Sequence, residues 1–104
     1  MADLYVGDVV YTTCQVTNKP NRPHFVTAVK GERIGLCPLS HTPQGKYEIT
    51  EMGGGTFIAA WDRFKLRANV RWSEPGESLR LRPQQLSDEC ITAVMAEIRR
   101  QMGR

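Results

Sequence analysis

Arg22, His24, Ser40 and His41 are the residues of this 104-residue sequence whose types and spacing invite a reaction. Arg22 belongs to a polar loop, 17–23, that leads into a β-rich segment, and Ser40 opens a second polar loop after another such segment. If the chain between them folds back as antiparallel strands, an arginine, a hydroxyl and one or two imidazoles meet around a groove. That set suits phosphodiester chemistry. The arginine would neutralise a pentavalent phosphorane, a histidine or the arginine would move protons, and the hydroxyl would orient the phosphate. Such a cleavage needs no metal when the nucleophile is the 2′-hydroxyl of RNA itself. Asn21 and Thr42, from the same two loops, and the cations Arg63, Lys65 and Arg67 complete the candidate substrate-binding set. Plainer readings stand beside this one. An arginine before a proline ordinarily makes a loop hydrogen bond, a serine after a strand caps it, and a histidine in a small domain supports structure.

Other chemistries find less support. There is no carboxylate pair at useful spacing, no Gly-x-Ser-x-Gly elbow and no HExxH. Cys14, Cys37 and Cys90 are odd in number and lack CxxC or Cys/His ligand spacing, so neither a disulfide framework nor a zinc module fits. No metal or other cofactor is expected. Cys37 and Cys90 read as small core hydrophobes, and the cysteine usage points to a reducing cytoplasm. Gly53-Gly54-Gly55 lacks a following Lys-Ser/Thr and opens no helix, which makes it a hairpin tip and not a phosphate cradle.

The elements that must position these groups are mostly strands. Val9 to Val16 is β-branched and aromatic, His24–Val29 and Ile34–Leu39 flank the turn Lys30-Gly31-Glu32-Arg33, and Pro38 belongs at a strand end or edge because it lacks a donor. Lys46–Glu51 alternates as a short strand, Thr56–Trp61 is another, and Leu79–Arg82 is a brief last one. Between them, 63–72 sets Phe64, Leu66, Ala68, Val70 and Trp72 against Arg63, Lys65, Arg67, Asn69 and Arg71, a strand with one cationic face. The chain ends in a helix. Ser87 is its N-cap, Asp88 and Glu89 suit its positive end and Arg99 and Arg100 its negative end, and Gly103 stops it. Leu86, Cys90, Ile91, Val94, Met95, Ile98 and Met102 form its apolar stripe. Short strands joined by hairpins and closed by a helix predict a mainly β fold, a small antiparallel barrel or rolled sheet, in one domain spanning 1–104.

Composition agrees with a single globular domain: 40% hydrophobic, 24% charged and 8% aromatic residues. No stretch reaches the roughly 18 to 20 apolar residues that span a bilayer, and the first residues have neither a basic start nor a long apolar run. Neither secretion nor a membrane partner is expected. The net charge of +3 conceals an asymmetry: residues 1–62 carry five basic and six acidic side chains, residues 63–104 nine and five. The second half is arginine-rich, with Lys65 its only lysine. Guanidinium forks suit phosphate or carboxylate partners, although a solvated face has the same composition.

With these parts in order, the sequence resembles the MazF/PemK-like ribonuclease toxins of bacterial toxin–antitoxin pairs. The resemblance lies in Gly7-Asp8-Val9-Val10 at the first strand, Asn21-Arg22-Pro23-His24-Phe25-Val26 entering the second, Cys37-Pro38-Leu39-Ser40 closing the third, and Leu86 leading into the terminal helix. It covers most of the chain, closely through residue 42 and loosely beyond. The resemblance implies an SH3-like barrel, a homodimer, that cuts single-stranded RNA without metal to leave a cyclic phosphate and a 5′-hydroxyl. The family's motif arginine falls on Arg22 and its motif threonine or serine on Ser40. A cognate acidic antitoxin would block the cationic groove. His24 and His41 are not residues that the family requires. The contrasting expectation is a non-catalytic SH3-like module that binds a protein or nucleic acid through the same groove.

Overall fold

Gly31 and Glu32 alone connect two strands, and Gly31 supplies the positive φ, 61°, that a two-residue hairpin turn asks of its first central position. This hairpin is the centre of a computed structural model that describes residues 4–14, 19–40, 47–53, 57–58, 71–73 and 78–101, with the backbone alone at Ser40, Tyr47, Phe57, Ile58, Arg71 and Gln101. Its strands are β2, Arg22–Lys30, and β3, Arg33–Ser40. Around them lie β1 (Val9–Thr12), β4 (Tyr47–Glu48), β5 (Phe57–Ile58), β6 (Arg71–Ser73), β7 (Arg80–Leu81) and one helix, α1 (Asp88–Gln101). Every pairing is antiparallel, in the order β4-β5-β3-β2-β1-β7, with β6 also on β3. The fold is therefore mainly β with a carboxy-terminal helix, as expected. It is barrel-like but open, since β4 and β7, at the two ends of the strand path, do not pair with each other among the described residues.

The strand boundaries depart from the sequence pattern for local reasons. β1 stops at Thr12 instead of running to Val16, because the chain closes a loop there, with the Cys14 amide donating to the Lys19 carbonyl at 2.9 Å. β2 begins at Arg22, inside the expected loop, because Thr12 pairs with it. The expected strand Lys46–Glu51 is strand only at Tyr47–Glu48; Thr50–Met52 forms a single 3₁₀ turn ended by Gly53. Most of the expected strand 63–72 lies outside the described residues, as do His41, Thr42, Arg63, Lys65 and Arg67, together with Gly54, Gly55, Trp61, Phe64, Met102 and Gly103.

Both faces of the sheet centre are covered, which is why β1 opens with two buried valines in succession. On one face Val9, Phe25, Cys37, Leu39 and Ile49 meet Leu86, Val94 and Ile98, with Met52, Cys90, Ile91 and Met95 around them. On the other, Val10, Val26 and Leu36 are packed by Leu4, Ile34 and Leu79. Removing a side chain such as Phe25 from water contributes about 1.5–3 kcal/mol. The helix stripe is thus the lid of the first cluster. Gly7 permits this approach: a Cβ there would lie 2.5 Å from Cδ1 of Ile91, and its φ of +98° is left-handed. The Gly7 amide donates to the Val26 carbonyl and the Val26 amide to that of Asp8, both at 2.9 Å, so the Gly7-Asp8 turn extends the β1–β2 ladder.

Pro38 lies within β3, not at its end. The outer edge of β3 changes partner at that point, from β6 along Ile34–Leu36 to β5 at Leu39–Ser40. Successive residues of a strand turn their amides to opposite sides. Cys37, opposite Phe25, faces β2, so Pro38 turns its donorless nitrogen outward into the gap between β6 and β5.

Candidate functional site

Two prolines shape the place where the candidate residues gather. The Val26 amide bonds to β1, so the alternate residues Phe25 and Pro23 face β3. The next β2–β3 rung after Phe25 would need the N–H of Pro23, which does not exist. The paired positions accordingly end at His24↔Pro38. Beyond it the two strands continue but take other partners, Arg22 opposite Thr12 of β1 and Ser40 opposite Phe57 of β5. Continued by two residues, the register would bring Arg22 opposite Ser40. The sheet forks here, with the arginine on one branch and the serine on the other. An unbroken ladder holds such positions about 5 Å apart.

Arg22 is half-buried, and no side chain among the described residues pairs with its guanidinium. A partly desolvated guanidinium is suited to a phosphate oxygen. Asn21 precedes it at φ 61°, a left-handed turn that asparagine tolerates better than most residues. Its side-chain oxygen accepts a hydrogen bond from Nη2 of Arg80 at 3.1 Å, and the Arg80 guanidinium stacks 4.4 Å from the Tyr11 ring centroid. Arg80 therefore stands beside the fork. Nothing local in the sequence marks it, because only the β1–β7 pairing brings Tyr11 and Arg80 together.

His24 is placed otherwise than expected. It lies in a fully buried row between Val10 and Pro38, itself 0% exposed, and so does not reach the surface to meet a substrate. Its Nδ1 is 2.9 Å from the Arg22 carbonyl oxygen, which can only accept, so Nδ1 carries the hydrogen. Nε2 has no partner among the described residues. A buried polar atom left so costs about 1–3 kcal/mol.

A second cationic group sits at the far end of the hairpin. The Lys30 ammonium and the Arg33 guanidinium lie 5.5 and 5.4 Å from the ring centroid of half-buried Trp72. They add positive surface away from the fork.

Two of the cysteines are drawn away from the thiolate form. Burial pushes the Cys37 thiol up to about 12, and burial, with the charge of Glu51, raises that of Cys90. Among the described residues no three His, Cys, Asp or Glu side chains group to hold a metal ion, and no helix is long and apolar enough to cross a membrane. Comparison of the chain with protein-family models, curated proteins and solved structures finds no match.

Proposed function

We propose that this chain is a metal-independent endoribonuclease that cuts single-stranded RNA, the toxin of a toxin–antitoxin pair. The observation that supports this reading is the β2–β3 register, which ends at His24↔Pro38 and, continued by two residues, would bring Arg22 opposite Ser40. The substrate's 2′-hydroxyl oxygen attacks the adjacent phosphorus and gives up its proton to solvent water, while the bond to the 5′-oxygen breaks and that oxygen takes a proton from Arg22, whose guanidinium is reprotonated from solvent. The products are a 2′,3′-cyclic phosphate and a 5′-hydroxyl. Arg22 holds the extra negative charge of the phosphorane and supplies a proton to the leaving oxygen, and Ser40 orients the phosphate. The motif order that resembles the MazF/PemK-like toxins supports the same assignment, as do the cations Arg63, Lys65 and Arg67 of an RNA track. An acidic antitoxin segment and a second copy of the chain are the protein partners that the reading implies.

One observation favours a second reading, a binding module without catalysis. The single histidine described near Arg22 is enclosed, so no described imidazole reaches the surface to move a proton. Incubating the protein with a long mixed-sequence RNA in EDTA separates the two. Discrete cuts with 5′-hydroxyl ends, lost in a folded Arg22→Ala variant, are the expected result. Intact RNA with a folded wild type overturns the ribonuclease reading in favour of the module.

A further inference from the structure

We infer that His24 is the positioning residue for Arg22, an internal strut that fixes the arginine's peptide at the fork; as a statement about catalysis this rests on the ribonuclease reading above. Three observations carry it. The imidazole is fully enclosed, its Nδ1–H is bonded to the Arg22 carbonyl, and its Nε2 has no partner among the described residues. The last is the informative one. The positions flanking His24 across the sheet are Val10 and Pro38, and an apolar side chain in that row would leave no polar atom unpaired. Burying an imidazole there is explained by the one hydrogen bond it makes.

That bond falls where the backbone most needs it. Pro23 denies the fork its next β2–β3 rung, so the Arg22–Pro23 peptide has lost the support of β3 and is held from the sheet on the β1 side alone. The ring of His24 reaches back two residues and ties the carbonyl of that peptide to the rigid row behind it. Arg22 thus projects from a peptide with a second anchor. A guanidinium that must meet a phosphorane within a fraction of an ångström gains from that rigidity, and a ground-state contact gains much less. His24 touches no substrate and acts through Arg22.

Amide side chains separate the ring's two nitrogens. Asparagine carries an N–H at the position of Nδ1; glutamine reaches the position of Nε2 but has no donor at Nδ1. His24→Asn is expected to keep kcat on RNA within about threefold of wild type. His24→Gln and His24→Leu are expected to lower kcat at least tenfold, with KM little changed and with His24→Leu no less stable to urea than wild type. A wild-type kcat in His24→Leu, or a kcat that follows stability across the three variants, overturns the inference. Should the wild type cut no RNA, the ribonuclease reading falls, and the strut is tested by NMR instead. The expected spectrum has a slowly exchanging Nδ1–H in wild type and an Arg22 Nε–H that loses order in His24→Leu; unchanged order overturns it. If His24→Leu fails to fold, the Asn and Gln pair gives the same discrimination.

Discussion

Glu51 grips Ser87 with both carboxylate oxygens: the Ser87 amide donates to Oε1 at 2.8 Å and its hydroxyl to Oε2 at 2.5 Å. Ser87 in turn accepts from the Cys90 amide at 3.2 Å, the N3 donor of α1. The helix is therefore capped twice, once by its own serine and once by a residue 36 positions earlier in the chain. The 3₁₀ turn that carries Glu51 also puts Met52 against the main cluster, so one turn fastens both the start and the underside of the helix.

Ser87→Ala removes the side-chain cap while leaving the Ser87 amide bond to Glu51 in principle available. The expected loss is about 1 kcal/mol of unfolding free energy, read from the midpoint of urea denaturation at unchanged slope.

Glu51→Gln tests the same contact through pH. The two bonds from Ser87 draw the Glu51 carboxyl below its ordinary 4.5, so the charged form is favoured in the folded protein. The stabilisation is whole above pH 4.5 and fades as pH falls through the lower folded value. The gap in melting temperature between wild type and Glu51→Gln is expected to hold from neutrality to about pH 5 and to narrow in more acid solution. A gap that widens on acidification contradicts the assignment.

Gly7→Ala meets two separate obstacles, a φ of +98° and the side chain of Ile91 2.5 Å from the new methyl. The backbone strain alone costs about 1–3 kcal/mol. Adding Ile91→Ala is expected to relieve the collision and leave the backbone cost, so the double variant recovers less than a simple cavity argument gives. Comparison of the four melting curves checks it.

Cys37, fully enclosed and with its thiol pushed up to about 12, is expected to resist maleimide at pH 8 for as long as the fold persists. Labelling should appear only across the urea transition. Mass spectrometry of the peptide containing Cys37 reads the result.

Much of this architecture is legible in the sequence where the cause is local. Gly31-Glu32 sets the hairpin, the hairpin sets the register, and the register brings Arg22 and Ser40 to the same end of the sheet. The helix is equally plain, since its stripe, its cap and its terminal charges are contiguous; within it Arg100 forms an ion pair with Glu97. What escapes the sequence depends on distant partners. Val9 and Val10 are β-branched residues of a first strand whose pattern does not say that both faces are covered, Val9 by the helix cluster and Val10 by Leu4 and Leu79. Pro38 reads as a strand end or edge, and which of the two is settled only by the gap between β6 and β5, formed by residues far along the chain. His24 reads as a surface ligand because its burial follows from Val10 and Pro38 flanking it across the sheet.

β5 and β6 run in the same direction along one edge of β3, and their partners Leu39 and Leu36 are only three residues apart. The described pairings on that edge thus stop at Ile58 and resume at Arg71, opposite neighbouring stretches of β3. Such an arrangement is a graft point: the sheet supplies both stumps, and lengthening the chain between them costs only about 0.6 kcal/mol for each doubling. Descendants of one ancestral chain, or a protein engineer, could exchange that segment wholesale and inherit the Arg22–Ser40 fork unaltered.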